Sequence, residues 1–284
     1  MARGRYAAGF LTYEAAPAFD AALVTRAAGP LPLLWFGLYD GFITLPALPE
    51  PVAPFTVSSW TPHLRREEYA RAIARVRDYI AAGDTYQVNY TLRLRASFAG
   101  DPFALFRALC QAQEVRYPAY VDLGGHALCS ASPELFFRLS GTTITARPMK
   151  GTAPRGCTLA EDEALAAELA ASAKNRAENV MIVDMVRNDL GRIAATGTVC
   201  VPHLFAVERY DTLFQMTSTV TASTRASFSE ILGALFPCAS ITGAPKVRTM
   251  QIIAELESAP RGIYTGCIGC LDPGRQAQFN IAIR

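Results

Sequence analysis

Hydrophobic and polar positions change period several times along the chain, and each change marks an element. From Glu67 to Ala82 the apolar residues Tyr69, Ile73, Val76 and Ile80 recur at helical spacing, and Gly83 ends the run. The stretch TYQVNYTLRLRASF, 85–98, then alternates as a strand. A second helix is predicted from about Asp101 to Gln113, and strands at 119–132, 134–141 and 142–148. Residues 160–190 read as the longest helical region, Ala/Glu-rich in its first half and closed by Gly191. Strands follow at 197–202, 204–212 and 215–222, then a helix after Phe228 and another from Pro245 to Ser258. The runs 262–272 and 276–284 predict two last strands.

The first 60 residues carry short apolar runs at 7–15, 31–45 and 55–60, separated by proline-rich turns. PALPEPVAP, 46–54, is the single linker-like stretch, so the chain is expected to divide into a partial β-rich part, 1–60, and a larger domain, 61–284. Strands in runs with helices between the groups predict an α+β protein built on large antiparallel β-sheets packed with helices. QAQFNIAIR alternates to the last residue with no cap, and YAAGFLTYEA starts almost at the first. That pattern predicts a fragment that is incomplete at the C-terminus.

Composition narrows the function classes. With 27 basic and 25 acidic residues among 284, the net charge of +2 gives no reason to expect nucleic acid or a membrane surface as a partner. Apolar stretches are interrupted well before the roughly 18 residues of a membrane span. The N-terminus has arginines but no apolar signal core, so a cytoplasmic protein is expected. The seven cysteines are then expected to be reduced. Cys267 and Cys270 form a C-x-x-C within a strand-like run, without a second pair at zinc spacing, and are read as small buried residues.

Candidate chemistry on residues alone leaves alternatives open. Lys150 stands between Pro148 and Gly151 at the mouth of the alternating run from Thr143 to Arg147, a place for a solvated charge or a positioned amine. Glu178, Asp184 and Asp189 lie in the apolar stretch AENVMIVDMVRND, where a buried carboxylate needs an ion partner or a metal. Arg187 and Arg192 predict ion pairs for the two aspartates, while Glu178 suits either a metal or an ordinary pair. SITGAPKVRTM sets Gly, Pro and Lys before a helix, which fits an anion site or plain first-turn capping. His63, His126 and His203 stand near no candidate nucleophile.

Together GDTYQVN, ASPELFF, RPMKGTAPRG, AENVMIVDMVRNDLGRI, SITGAPKVRTMQII and RGIYTGCIG resemble the chorismate-utilising enzymes, in that family's order over the larger part of the chain. Two positions sort the family by reaction. Members that add water to chorismate carry a lysine base where this chain has Gln87, and a neutral amide cannot take that proton. Anthranilate-forming members carry a small residue where this chain has Lys150, whereas members that aminate C4 carry a lysine in a P-I-K-G-T motif close to PMKGT.

The resemblance therefore implies amination of chorismate with ammonia to give 4-amino-4-deoxychorismate, on the way to para-aminobenzoate and folate. Lys150 would attack C2 as a nucleophile, and Glu134 would serve as the acid that releases the C4 hydroxyl. Lys150 has to be neutral to attack, which implies a partly desolvated pocket. Mg²⁺ would hold the ring carboxylate, with Glu178 as one ligand. Tyr264 and Arg284 would bind the enolpyruvyl carboxylate, and Gln87, Thr242 and Gly243 would line the ring site. Ammonia would come from a separate glutamine amidotransferase subunit, whose signature this chain lacks.

Two departures accompany the resemblance. Where the family commonly has a histidine in an H-L-x-S stretch, the position in QMTSTV is read as Met216. The family also continues past Arg284 with a glycine-rich turn and a helix whose paired glutamates complete the Mg²⁺ site. The isolated chain is accordingly expected to be inactive or nearly so. The alternatives are an anthranilate-forming enzyme, or a catalytically inactive fragment that keeps the fold as a binding module.

Overall fold

The computed structural model describes residues 4–113 and 115–284. Nine strands form one antiparallel sheet: β1 (Tyr6–Leu11), β2 (Leu34–Tyr39), β3 (Leu135–Ser140), β4 (Thr143–Arg147), β5 (Met149–Pro154), β6 (Cys200–Arg209), β7 (Leu213–Ser223), β8 (Cys267–Leu271) and β9 (Gln276–Ile281). Across the sheet they run β5-β7-β4-β3-β9-β8-β1-β2. β4 and β5 follow one another along one edge of β7, and β6 lies along the other. Because β1 pairs with β8, residues 6–11 belong to the same sheet as residues 267–281, and the core is continuous across residue 60.

Helices cover one face of the sheet. α4 (Ala173–Gly191) buries Ile182, Val183, Val186 and Leu190, a stripe at helical spacing, against Phe137, Ile144, Val220 and Phe279. α5 (Phe228–Leu235) and α6 (Lys246–Leu256) complete that layer with Ile231, Leu232, Leu235 and Met250. On the other face, Phe10 and Ile268 pack with Leu128 of the hairpin Tyr117–Asp122/Ala127–Ser132. α1 (Arg66–Ala81), α2 (Pro102–Ala112) and α3 (Leu159–Ala171) lie around this frame. Among the described residues, no helix is long and apolar enough to cross a membrane.

Several predicted elements change form. The region 160–190 is two helices, because Ser172 leaves helical geometry and its Oγ accepts from the Asn175 N–H, capping α4. The predicted strand 85–98 is cut into Gln87–Val88, Leu94–Arg95 and Phe98–Gly100, each in a different two-stranded ribbon. The strands predicted at 197–202 and 204–212 merge into β6, which shifts register twice. Asp184 pairs with Arg187 as expected, but Asp189 pairs with Lys246 at 2.7 Å instead of with Arg192. Cys267 is buried and Cys270 exposed, on opposite faces of β8.

One buried ion pair ties the irregular segments to this frame. Arg261 is 5% exposed and Glu257 4% exposed, and the two are bonded at 2.7 and 3.0 Å. The guanidinium also donates to the carbonyls of Ile241 and Asn89 and to the Thr265 hydroxyl. Glu257 accepts in turn from the N–H and hydroxyl of Thr91. Glu14, near the N-terminus, accepts from the N–H groups of Arg261 and Gly262. Removing one member of a buried pair strands the other charge. Arg261→Met is therefore expected to lower the unfolding free energy by ~3–5 kcal/mol. Urea unfolding measures it, and a loss within error of zero would mean the pair does not hold these segments.

Candidate active site

Lys150 owes its position to a β-bulge. Along β7, Met149 pairs with Thr217 and Thr152 with Gln215, so Lys150 and Gly151 together face the single residue Met216. Gly151 takes φ +99°, a backbone region that side chains rarely adopt, and a Cβ there would meet the Asn175 side chain at 3.0 Å. The bulge aims the lysine inward, where Nζ donates to the Ser240 carbonyl at 2.9 Å.

Glu134 stands beside it, 5% exposed, between the hairpin and β3. Its carbonyl accepts from Ile281 N–H, and its Oε1 accepts from Met149 N–H at 3.3 Å. Burial pushes its carboxyl up to about 7, against the opposing pull of the Ser240 hydroxyl, the Lys150 amine, the Met149 N–H and Arg284. A carboxyl group at that value still holds a proton near neutrality.

The wall opposite is the turn 238–244. Thr242 is fully buried and its hydroxyl donates to the carbonyls of Cys238 and Ala239. Gly243–Ala244 pairs with Gln87–Val88, and a Cβ on Gly243 (φ +143°) would lie 2.0 Å from the Gln87 carbonyl oxygen. No other residue fits that approach. The Gln87 side-chain Oε1 is buried and accepts no hydrogen bond from any described group.

Of the residues the sequence nominated, Glu134, Lys150, Thr242, Gly243 and Gln87 share this wall or its immediate strands, and the Arg284 charge reaches Glu134. The Arg284 carbonyl accepts from Ala131 N–H. Tyr264 is 43% exposed, on the turn before β8. Glu178 is on α4 with its carboxylate 3.7 Å from Lys174, although the next residue, Asn179, reaches the Lys150 carbonyl. No three His, Cys, Asp or Glu side chains converge among the described residues.

Ser240 and Gln215 escaped the sequence reading. Ser240 opens the SITGAP motif, two positions before the threonine that was singled out. Matched letter for letter, QMTS sets Gln215 against the histidine of H-L-x-S, which corrects the reading of Met216. Met216 is fully buried against Leu169 and Phe214.

The sequence profile of the chorismate binding enzymes matches residues 2–284. Aminodeoxychorismate synthase component 1 of Escherichia coli is 43% identical over 237 residues, which are 82% of this chain and 52% of that protein. Anthranilate synthase component 1 of Aquifex aeolicus is 38% identical over 228 residues, 80% of this chain and 46% of that one. The crystal structure of anthranilate synthase component I from Streptococcus pneumoniae matches with TM-score 0.84 at 26% identity, over 99% of this chain and 72% of that chain. The chain spans about half the length of the curated relatives it matches.

The raised carboxyl makes stability depend on pH with a definite sign. The folded chain keeps the Glu134 proton that the unfolded chain releases from about pH 4.5, so the stability this group supplies falls as pH rises from there to about 7. Above that window the buried charge costs roughly 3 kcal/mol, at 1.36 kcal/mol for each pH unit of displacement. Glu134→Gln removes the charge, and its stability relative to the unaltered chain is expected to grow across the window and then level. Urea unfolding at a series of pH values tests this; a constant difference would show that Glu134 titrates in its ordinary range.

Proposed function

The chain belongs to the chorismate binding enzymes, and from that membership we propose that it carries the reaction site of an enzyme converting chorismate and ammonia into 4-amino-4-deoxychorismate. One observation supports this reading above the others: an amine on a bulge faces a buried carboxyl group that keeps its proton near neutrality. That pairing of nucleophile and acid suits displacement of a poor leaving group.

The Lys150 nitrogen lone pair attacks C2 of chorismate, the two conjugated ring double bonds each shift by one position (C1=C2 to C1=C6, C5=C6 to C4=C5), and the C4–O bond breaks as Glu134 delivers its proton, releasing water. Ammonia then attacks C4, both double bonds shift back, and the C2–N bond to Lys150 breaks. The departing amine and the attacking ammonia exchange their protons with the glutamate, which regains the one it gave. Two displacements through the conjugated diene retain the configuration at C4, which one direct displacement would invert. Arg284 would bind a substrate carboxylate, with Tyr264 from the preceding turn. The unpartnered Gln87 Oε1 is an acceptor for a substrate hydroxyl or for ammonia. Ammonia would be supplied by a glutamine amidotransferase partner. Magnesium belongs to this reading only at the level of the whole enzyme, with Glu178 as one ligand, and no step above runs through it.

The relatives include anthranilate-forming proteins, and Lys150 separates the two reactions. The unaltered site is expected to form an adduct on the Lys150 peptide, chorismate less one water, detectable by mass spectrometry after rapid quenching. In a preparation that turns over, Lys150→Ala should lose the adduct and nearly all 4-amino-4-deoxychorismate. Glu134→Gln should slow its formation by about 10²–10⁴-fold, the usual contribution of a general acid. Full-rate C4 amination by Lys150→Ala would rule out the covalent route.

A further inference from the structure

Two buried side-chain amides reach the main-chain carbonyls of the Lys150 bulge. Gln215, 6% exposed on β7, donates from Nε2 to the Gly151 carbonyl at 2.8 Å, while its Oε1 accepts from the Thr152 hydroxyl at 3.0 Å. Asn179, 1% exposed on α4, donates to the Lys150 carbonyl at 3.5 Å and accepts from the Ser218 hydroxyl at 2.5 Å. The peptide planes on both sides of Gly151 are thus held from outside the strand.

They need to be held. Glycine enters the left-handed half of backbone space as readily as the other, so nothing intrinsic to Gly151 keeps φ at +99°. A rotation there would swing the preceding residue, and Lys150 has a long, flexible stem with a strongly hydrated head that gains by reaching water. What opposes this is the fixed direction of its main chain. Gln215 also borders the small cavity shared by Met149, Tyr210 and Arg284, so the same side chain touches the bulge and the site's edge.

We propose that Gln215, supported by Asn179, is a positioning residue for Lys150: its amide pins the Gly151 carbonyl and so keeps the lysine amine turned inward against Ser240 and Glu134. The proposal rests on the reading of Lys150 as the nucleophile. An amide suits the task because it donates at every pH, whereas an imidazole at the same position would change its donors on titration.

The chain has three lysines, and they make the test direct. Lys174 is 82% exposed and serves as the reference; Lys246, 12% exposed and paired with Asp189, reports general loosening of the fold. The chain is treated with trinitrobenzenesulfonate, a bulky amine reagent, and each modified peptide is quantified by mass spectrometry. Gln215→Met fills the same space without a donor. It is expected to raise labelling of Lys150 relative to Lys174 by about fivefold, the population shift set by one buried hydrogen bond, with Lys246 unchanged. An unchanged Lys150 ratio overturns the proposal, as does a parallel rise at Lys246. Thr152→Val, on an exposed strand position, frees only the far end of the amide. It should give a smaller rise of about twofold at an unaltered melting temperature, and keeps the question open to refutation should Gln215→Met not fold. Chorismate is then added to the unaltered chain. Protection of Lys150 supports the functional reading. Absence of protection together with release in Gln215→Met removes that reading and leaves the pinning intact.

Discussion

The Arg261 guanidinium carries all five of its donors into the protein interior, and each finds an acceptor: Glu257 twice, and Ile241, Asn89 and Thr265 once each. Its face also lies over the Tyr13 ring at 4.7 Å. A buried charge is tolerable only with such complete satisfaction. The acceptors come from segments with little regular structure of their own, and that is the consequence for the site. The Asn89 carbonyl ends the short strand of Gln87, and the Ile241 carbonyl lies between Ser240 and Thr242. One guanidinium therefore sets the distance between the Gln87 ribbon and the turn that faces Lys150.

Given that fixed wall, the chemistry of Glu134 follows from burial more than from its neighbours. Lys150, the Ser240 hydroxyl, the Met149 N–H and Arg284 all favour its charged form, and burial still outweighs them. Lys150 spends its hydrogen bond on the Ser240 carbonyl and none on the carboxylate. The intervening turn thus keeps the two side chains close without a direct ion pair between them, the arrangement that the proposed reaction asks for.

What could be read from the sequence divides along the range of the forces involved. Helical spacing placed α1, α2, α5 and α6 within a few residues, and strand alternation found β3, β4 and the strands after Gly262, because those signals are local. Ser172, however, ends a helix inside a stretch with no Gly or Pro to mark a stop, and only its cap geometry reveals the break. The 85–98 run alternates like one strand but has no single neighbour long enough to pair with it, so it is shared among three ribbons. Asp189 had an arginine three residues away and took Lys246 instead, 57 residues on, because α6 brings that amine to its buried side.

The same distinction governs the site. Lys150, Glu134, Thr242 and Gly243 stood out because each belongs to a short motif whose letters carry the chemistry. Gln215 and Asn179 did not, since an amide announces nothing until its partner carbonyl is known. The partner of Gln215 is 64 residues away and that of Asn179 is 29. Side chains nominated by a motif are recognised by what they are, whereas side chains that hold a backbone are recognised only by where they point. A glycine bulge is the kind of feature that demands the second sort. It frees the lysine from the alternation of its strand, and the freedom is useful only if something outside the strand takes it away again.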